Sequence, residues 1–326
     1  MNRTLLFISL FSIFTLVSCQ SSPKNEAGKQ NEVELVAEKQ LAFPLDEQTY
    51  YLSKSMFQFE ENGKEYLHFE NTQKSLYDIV IFDIENQQIA KRIPLHKTGP
   101  NGLPAVYGSR PSPDSKQILI SQNNIGRLST INNQGEVVHN YPVKTPEGRF
   151  TTFFFCSYYN APAFVKDSCI FLNQGIFKPN MKREDWPQTH MFASQNLKTG
   201  KFEWVPIFYP PIFKEEYENI DGGYGFSYDY NYKENRLVCG FFGYDSLMVT
   251  DDLKHIRWYN AKSKYLKSMK PKLGNAMAGI NSIIEFCEAP MYWHIMYDKY
   301  RDVYYRFAEM PYKLAPNESP YDEPKG

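Results

Sequence analysis

The chain has few of the residues that catalysis and metal binding usually recruit. Of its 326 residues, 5 are cysteine and 6 are histidine. No two cysteines are spaced C-x-x-C, which speaks against a structural zinc or thioredoxin-like site. The histidines (His68, His96, His139, His190, His255 and His294) are scattered along the chain, and none forms the four-residue pair that puts two imidazoles on one helical face. A Gly-x-Ser-x-Gly elbow is missing; Gly243-Tyr244-Asp245-Ser246-Leu247 comes nearest and lacks the second glycine. There is no glycine-rich phosphate loop and no dinucleotide fingerprint, so neither a metal nor a cofactor is expected. Charge of one sign is also lacking. With 36 basic and 37 acidic residues the net charge is −1, too little field to draw nucleic acid or bulk anionic lipid. Beyond the first 20 residues no apolar run is long enough to span a bilayer.

What the sequence does have begins at its start. One basic residue, Arg3, precedes an apolar run from Leu5 to Val17. That run is too short to cross a bilayer core of about 30 Å comfortably as a helix, and reads as a signal peptide over residues 1–18. It ends in Leu16-Val17-Ser18-Cys19, which resembles the bacterial lipobox. The resemblance implies lipidation of Cys19, with several acyl chains anchoring the protein at about 0.8 kcal/mol per buried methylene. Residues 19–31 are polar and without periodicity, and read as a flexible tether. Gln20 stands where an aspartate would favour retention at the inner membrane. The expected address is therefore the outer membrane, with either face open.

Residues 32–326 read as one β-rich domain. Aromatic content is high at 16%, with 24 Tyr and 24 Phe, and this composition favours strands. A repeated mark, apolar-Pro-apolar, closes strand-like runs at Phe43-Pro44-Leu45, Ile93-Pro94-Leu95, Tyr141-Pro142-Val143, Val205-Pro206-Ile207 and Met310-Pro311-Tyr312. The prolines lie 50, 48, 64 and 105 residues apart, and Trp258-Tyr259-Asn260 falls midway across the long gap. Before each later mark the chain reads strand, polar turn, strand, which is a hairpin signal. Proline costs a strand one ladder donor, so it belongs on edge strands. One edge strand per repeat is the pattern of a β-propeller. The marks give five intervals, and the run Val33 to Leu45 has no inner strands before it. The expected fold is all-β: a six-bladed propeller with its last blade incomplete, or else five blades with an N-terminal edge strand.

Candidate functional residues are few. Lys97-Thr98-Gly99-Pro100-Asn101-Gly102 combines glycine freedom with a fixed proline turn; it could cradle an anion or simply link two blades. A long aromatic insertion, Tyr209 to Tyr232, contains Asp221, Tyr224 and Tyr228. These three and Gly99, Pro100, Asn101 and Gly102 are the candidate ligand-facing residues, since long insertions in repeat proteins collect on one face. Asp83, Asp229, Asp245 and Asp298 are candidates for paired carboxylates, although Asp83 and Asp298 begin turns, where aspartate commonly bonds its own backbone. Cys156 and Cys169 are the nearest pair for a disulfide in an oxidising compartment; free thiols on strands are the alternative.

The lipobox, the N-terminal edge strand, the Lys97 to Gly102 loop and the segment Met296 to Phe307 together resemble the DUF4221 family of bacterial lipoproteins. The resemblance covers most of the mature chain and implies a six-bladed propeller of the kind common among Bacteroidetes-type outer-membrane lipoproteins. Members usually continue past the Tyr305-Arg306-Phe307 segment with a further strand-rich stretch. No catalytic residues come with the resemblance. The reading is a lipid-anchored envelope propeller that binds a ligand, glycan or envelope protein, its membrane contact made through the N-terminal lipid. A carbohydrate-active propeller enzyme with paired carboxylates is one alternative, and a non-functional truncated fragment with open strand edges is another.

Overall fold

The computed structural model describes residues 40–49, 56–71, 77–112, 115–122, 126–144, 154–155, 157–158, 161–174, 187–210, 226–266 and 290–310. Cys19, Cys156, Asp221, Tyr224 and Pro311 lie outside them. Residues Ala42–Gly326 form one compact unit. Among the described residues no helix is long and apolar enough to cross a membrane.

Four antiparallel sheets follow one another in chain order. The first holds β1 (Met56–Glu61), β2 (Lys64–Asn71), β3 (Asp78–Asp83) and β4 (Gln88–Pro94). The second holds β5 (Gly108–Pro111), β6 (Ile118–Gln122), β7 (Arg127–Ile131) and β8 (Val137–Pro142). Three short strands come next: β9 (Phe154–Phe155), β10 (Ser157–Tyr158) and β11 (Ala161–Pro162). The third sheet holds β12 (Phe164–Lys166), β13 (Cys169–Gln174), β14 (Phe192–Asn196) and β15 (Phe202–Trp204), with β9 added on β13. The fourth holds β16 (Phe226–Asn231), β17 (Arg236–Phe241), β18 (Ser246–Thr250) and β19 (Arg257–Asn260). A hairpin of β20 (Met291–Asp298) and β21 (Val303–Glu309) completes the set.

The core lies between consecutive sheets. Ile79, Ile81 and Ile93 of the first sheet meet Ile118, Ile120 and Ile131 of the second. Leu119 and Leu128 meet Val165, Ile170 and Leu172 of the third. Phe164 and Phe192 meet Tyr228, Leu237 and Phe241 of the fourth. Val238 and Val249 meet Ile295 of the hairpin. Burying the faces of middle strands such as β3, which is buried throughout, requires the continuous apolar run Ile79-Val80-Ile81-Phe82. The outer strand β19, exposed throughout, carries Arg257 and Asn260. This face-to-face succession of sheets is a β-propeller arrangement.

The proline marks fall where edge strands were expected in two sheets: Pro94 is the last residue of β4 and Pro142 the last of β8. All five expected hairpins are present, as β3–β4, β7–β8, β14–β15, β18–β19 and β20–β21. Their turns share a device, an Asp or Asn whose side chain accepts backbone N–H groups just ahead. Asn132 Oδ1 accepts from Gln134 and Glu136, Asn196 Oδ1 from Lys198 and Thr199, and Asp252 Oδ1 from Lys254 and His255.

Two expectations about the count are corrected. Among the described residues there are four complete sheets, neither six blades nor five. Phe43-Pro44-Leu45 is not in a strand either; its Phe43 ring packs edge-on against Phe82 at 5.5 Å, and Asp46 ion-pairs with Arg92 at 2.7 Å. Side chains, not a β ladder, hold that stretch on the first sheet. The β20–β21 hairpin is the source of the overcount. It is not the outer pair of a fifth blade, because β20 lies against β16 and β17, the first two strands of the fourth sheet. Its turn uses the same Asp/Asn device as the other hairpins, inner and outer alike, so the placement rests on the contacts of β20. Asn231 accepts from Lys233 and Glu234, with Asn235 left-handed at φ 54°; Asp298 accepts from Tyr300 and Arg301, with Asp302 left-handed at φ 56°. By those contacts the hairpin is the counterpart of a sheet's first two strands.

Candidate axial binding site

Contacts between sheets run through the first strands. β5 lies beside β2 and β10, and β16 beside β11 and β20. Side chains from these strands converge around Arg110, the third residue of β5. Its guanidinium carbon stands 5.0 Å from the centre of the Phe57 ring on β1. Its Nη2 donates to Tyr232 Oη at 3.4 Å, and that oxygen also accepts from the Val165 backbone N–H at 3.2 Å. Tyr232 follows β16 directly and is 50% exposed. One tyrosine therefore ties the fourth sheet to the second and third.

Asp229 of β16 completes the group. Its Oδ1 accepts from the Tyr230 N–H at 2.8 Å and its Oδ2 from the Tyr297 N–H of β20 at 2.9 Å. Burial pushes its carboxyl up to about 6; the two N–H donors and the Arg110 charge resist the rise. Tyr304 of β21 holds its proton more tightly than an ordinary phenol, first through burial and then through the Asp229 charge. On the other side, His68 of β2 is fully buried, with Nε2 2.6 Å from Ser109 Oγ. Burial, aided by Arg110, pulls its pKa down to about 3, so the imidazole is neutral at physiological pH.

This arrangement brings together one guanidinium, one half-exposed phenol and one buried carboxyl whose pKa is pushed up to about 6. The other three candidate acids are engaged elsewhere. Asp83 accepts from the Asn86 N–H in its turn, Asp245 Oδ1 accepts from Tyr292 Oη at 2.8 Å, and Asp298 belongs to the β20–β21 turn. Among the described residues no three His, Cys, Asp or Glu side chains gather to hold a metal ion.

Of the residues expected to face a ligand, Gly99, Pro100, Asn101, Gly102 and Tyr228 are among the described residues, and none of these five belongs to the group around Arg110. Gly99, Pro100, Asn101 and Gly102 form the connector from β4 to β5, folded on itself: the Gly102 N–H donates to Gly99 O at 2.9 Å, and a Cβ on Gly102 would sit 2.9 Å from that same oxygen. Asn101 Oδ1 accepts from Val137 N–H at 3.0 Å, which pins the connector to the start of β8. Tyr228, expected on a loop, is instead in β16 and fully buried, 5.0 Å from Phe192 and 6.4 Å from Phe164. Strand alternation puts it on the core face, opposite to Asp229. Cys169 is a free thiol at the start of β13 and accepts from Asn196 Nδ2 at 3.6 Å; Cys239 is free and buried in β17. Phe57, Arg110 and Tyr232 were not foreseen as site residues. The one sequence signal for them is a lone cation inside the short strand Gly108-Ser109-Arg110-Pro111.

The fold and this axial group define a β-propeller with a candidate binding site at the meeting of its first strands. The chain belongs to the DUF4221 family, a domain of unknown function, which it matches over residues 32–324. It is similar to a DUF4221 member from Bacteroides vulgatus ATCC 8482 of known crystal structure, with 84% identity and a TM-score of 0.84 over 91% of this chain and 82% of that one. A Bacteroides fragilis NCTC 9343 protein, named as a candidate for export, is 10% identical with a TM-score of 0.48 over 82% of this chain and 74% of that one. No curated protein matches the chain.

Proposed function

We propose that the protein is an exported, lipid-anchored propeller of the cell envelope that binds a ligand at the axial group and does no chemistry on it. Cys19 carries the lipid, the outer membrane is the address, and the partner is a small ligand, a glycan or an envelope protein. The observation that carries the binding role is the convergence on Arg110: three sheets and the hairpin contribute to one group, and among the described residues the guanidinium makes one hydrogen bond there, at 3.4 Å. Two measurements test the reading. Protein purified from its native envelope should bring a ligand with it, and Arg110→Met should lose that ligand; recovery of the same ligand with both forms sinks the site. Acyl-chain labelling should mark the wild type and not Cys19→Ala; equal labelling sinks the anchor.

Asp229 favours a second reading, that of a carbohydrate-active enzyme, because a carboxyl that titrates near pH 6 suits a general acid. Such an enzyme needs a second carboxyl within about 10 Å. Turnover of a polysaccharide panel that disappears in Asp229→Asn would establish it in place of simple binding.

A further inference from the structure

We propose that the axial site takes a carboxylate: the Arg110 guanidinium holds the acidic group of a small ligand, and the half-exposed Tyr232 ring covers the ligand's apolar part. This rests on the binding role above and names its chemistry. A guanidinium has five N–H donors. Arg110 uses one, on Tyr232 Oη, and its buried Nε has no partner among the described residues. No described carboxylate forms an ion pair with it. The flat guanidinium fork matches the two oxygens of a carboxylate. Placement over Phe57 restrains that fork before the ligand arrives, which reduces the ordering cost of binding.

The neighbours decide which anion fits. His68 is neutral, and Tyr297 and Tyr304 keep their protons, so none of them adds charge at neutral pH. Asp229 and Arg110 feel each other's charge, and an ionised Asp229 repels any anion placed at Arg110. A phosphate dianion meets that repulsion twice over; a carboxylate meets it once. As pH falls through the Asp229 range the repulsion is removed, while a ligand carboxyl of ordinary pKa stays ionised. Acid binding should therefore strengthen as pH falls from about 8 to about 5.5.

Calorimetric titration of the whole protein with D-glucuronate, L-glutamate, inorganic phosphate and neutral glucose tests this at both pH values. One of the two acids should bind, roughly three- to tenfold more tightly at the lower pH. Arg110→Met should lose about tenfold or more in affinity, and Arg110→Lys less. Asp229→Asn should bind the acid independently of pH. Should Arg110→Met fail to fold, Tyr232→Leu, at an exposed position, should still weaken binding. Glucose bound as well as glucuronate, phosphate bound more tightly than both acids, or no binding of either acid would each overturn the carboxylate inference. The broader binding role falls on a different result: no ligand recovered with the wild-type protein from its envelope.

Discussion

The two flanks of the β20–β21 hairpin are held by opposite physics. Toward the fourth sheet the attachment is buried. Arg306 of β21 donates Nη1 to Asp245 O at 2.8 Å and Ala261 O at 3.2 Å, and Nη2 to Phe241 O at 3.4 Å and to Tyr244 O. Its guanidinium carbon lies 3.3 Å from the centre of the Tyr292 ring, and Ile295 packs with Val238 and Val249. Burial pulls the Arg306 pKa down to about 10, yet the group stays charged at neutral pH. Toward the first sheet the attachment is exposed: Lys299 pairs with Glu65 at 3.0 Å and Glu60 at 3.7 Å, and Tyr300 donates to Glu65. Such pairs each contribute roughly 0–1 kcal/mol and weaken in salt. The hairpin is therefore a fixed extension of the fourth sheet and a weakly held neighbour of the first. Asp229, which grips β20 through the Tyr297 N–H, sits on the strong side.

Arg306→Met attacks the strong flank. It strips donors from four carbonyls and should cost about 3–5 kcal/mol in denaturant unfolding. Accelerated hydrogen exchange in β20 and β21 should accompany that loss. A cost below about 1 kcal/mol would make the two flanks equivalent.

The junction between the first and second sheets provides a third kind of seam, backbone against backbone. Gly135 has φ +83°, and a Cβ there would fall 1.9 Å from the Pro94 carbonyl oxygen. Gly135→Ala should cost about 2–3 kcal/mol, through that clash and the left-handed backbone together. An unchanged melting temperature would mean that the seam can open without cost.

The smallest effect belongs to the exposed flank. Glu65→Gln should cost less than about 1 kcal/mol, and high salt should shrink the difference from wild type. A larger, salt-insensitive loss would show that this flank is as firmly held as the other.

The sequence made the hairpins legible because each needs only local chemistry, alternating apolar residues around an Asp or Asn turn. It made the outer edges legible at Pro94 and Pro142, because proline is barred from the ladder of a central strand. It did not reveal the number of sheets. The turn at Asp298 works like the first turn of a sheet at Asn231 and equally like the second turns at Asn132 and Asn196, so a hairpin signal does not tell inner strands from outer ones. The axial group was the least legible. Phe57, Arg110, Asp229 and Tyr232 come from three sheets, and no local pattern joins them. In the sequence Asp229 is one of four candidate acids with nothing to set it apart. Tyr228, its neighbour, reads as ligand-facing in the sequence and is buried in β16, because an aromatic run does not reveal which of its residues alternation turns inward.

The account depends most on Arg110 and Asp229 sharing the axis. Titration of the Asp229 carboxyl carbon by NMR, in the wild type and in Arg110→Met, tests this directly. The account predicts a midpoint of about 6 in the wild type, moving higher once the guanidinium charge is removed. A midpoint in the ordinary carboxylate range, unmoved by Arg110→Met, would contradict it.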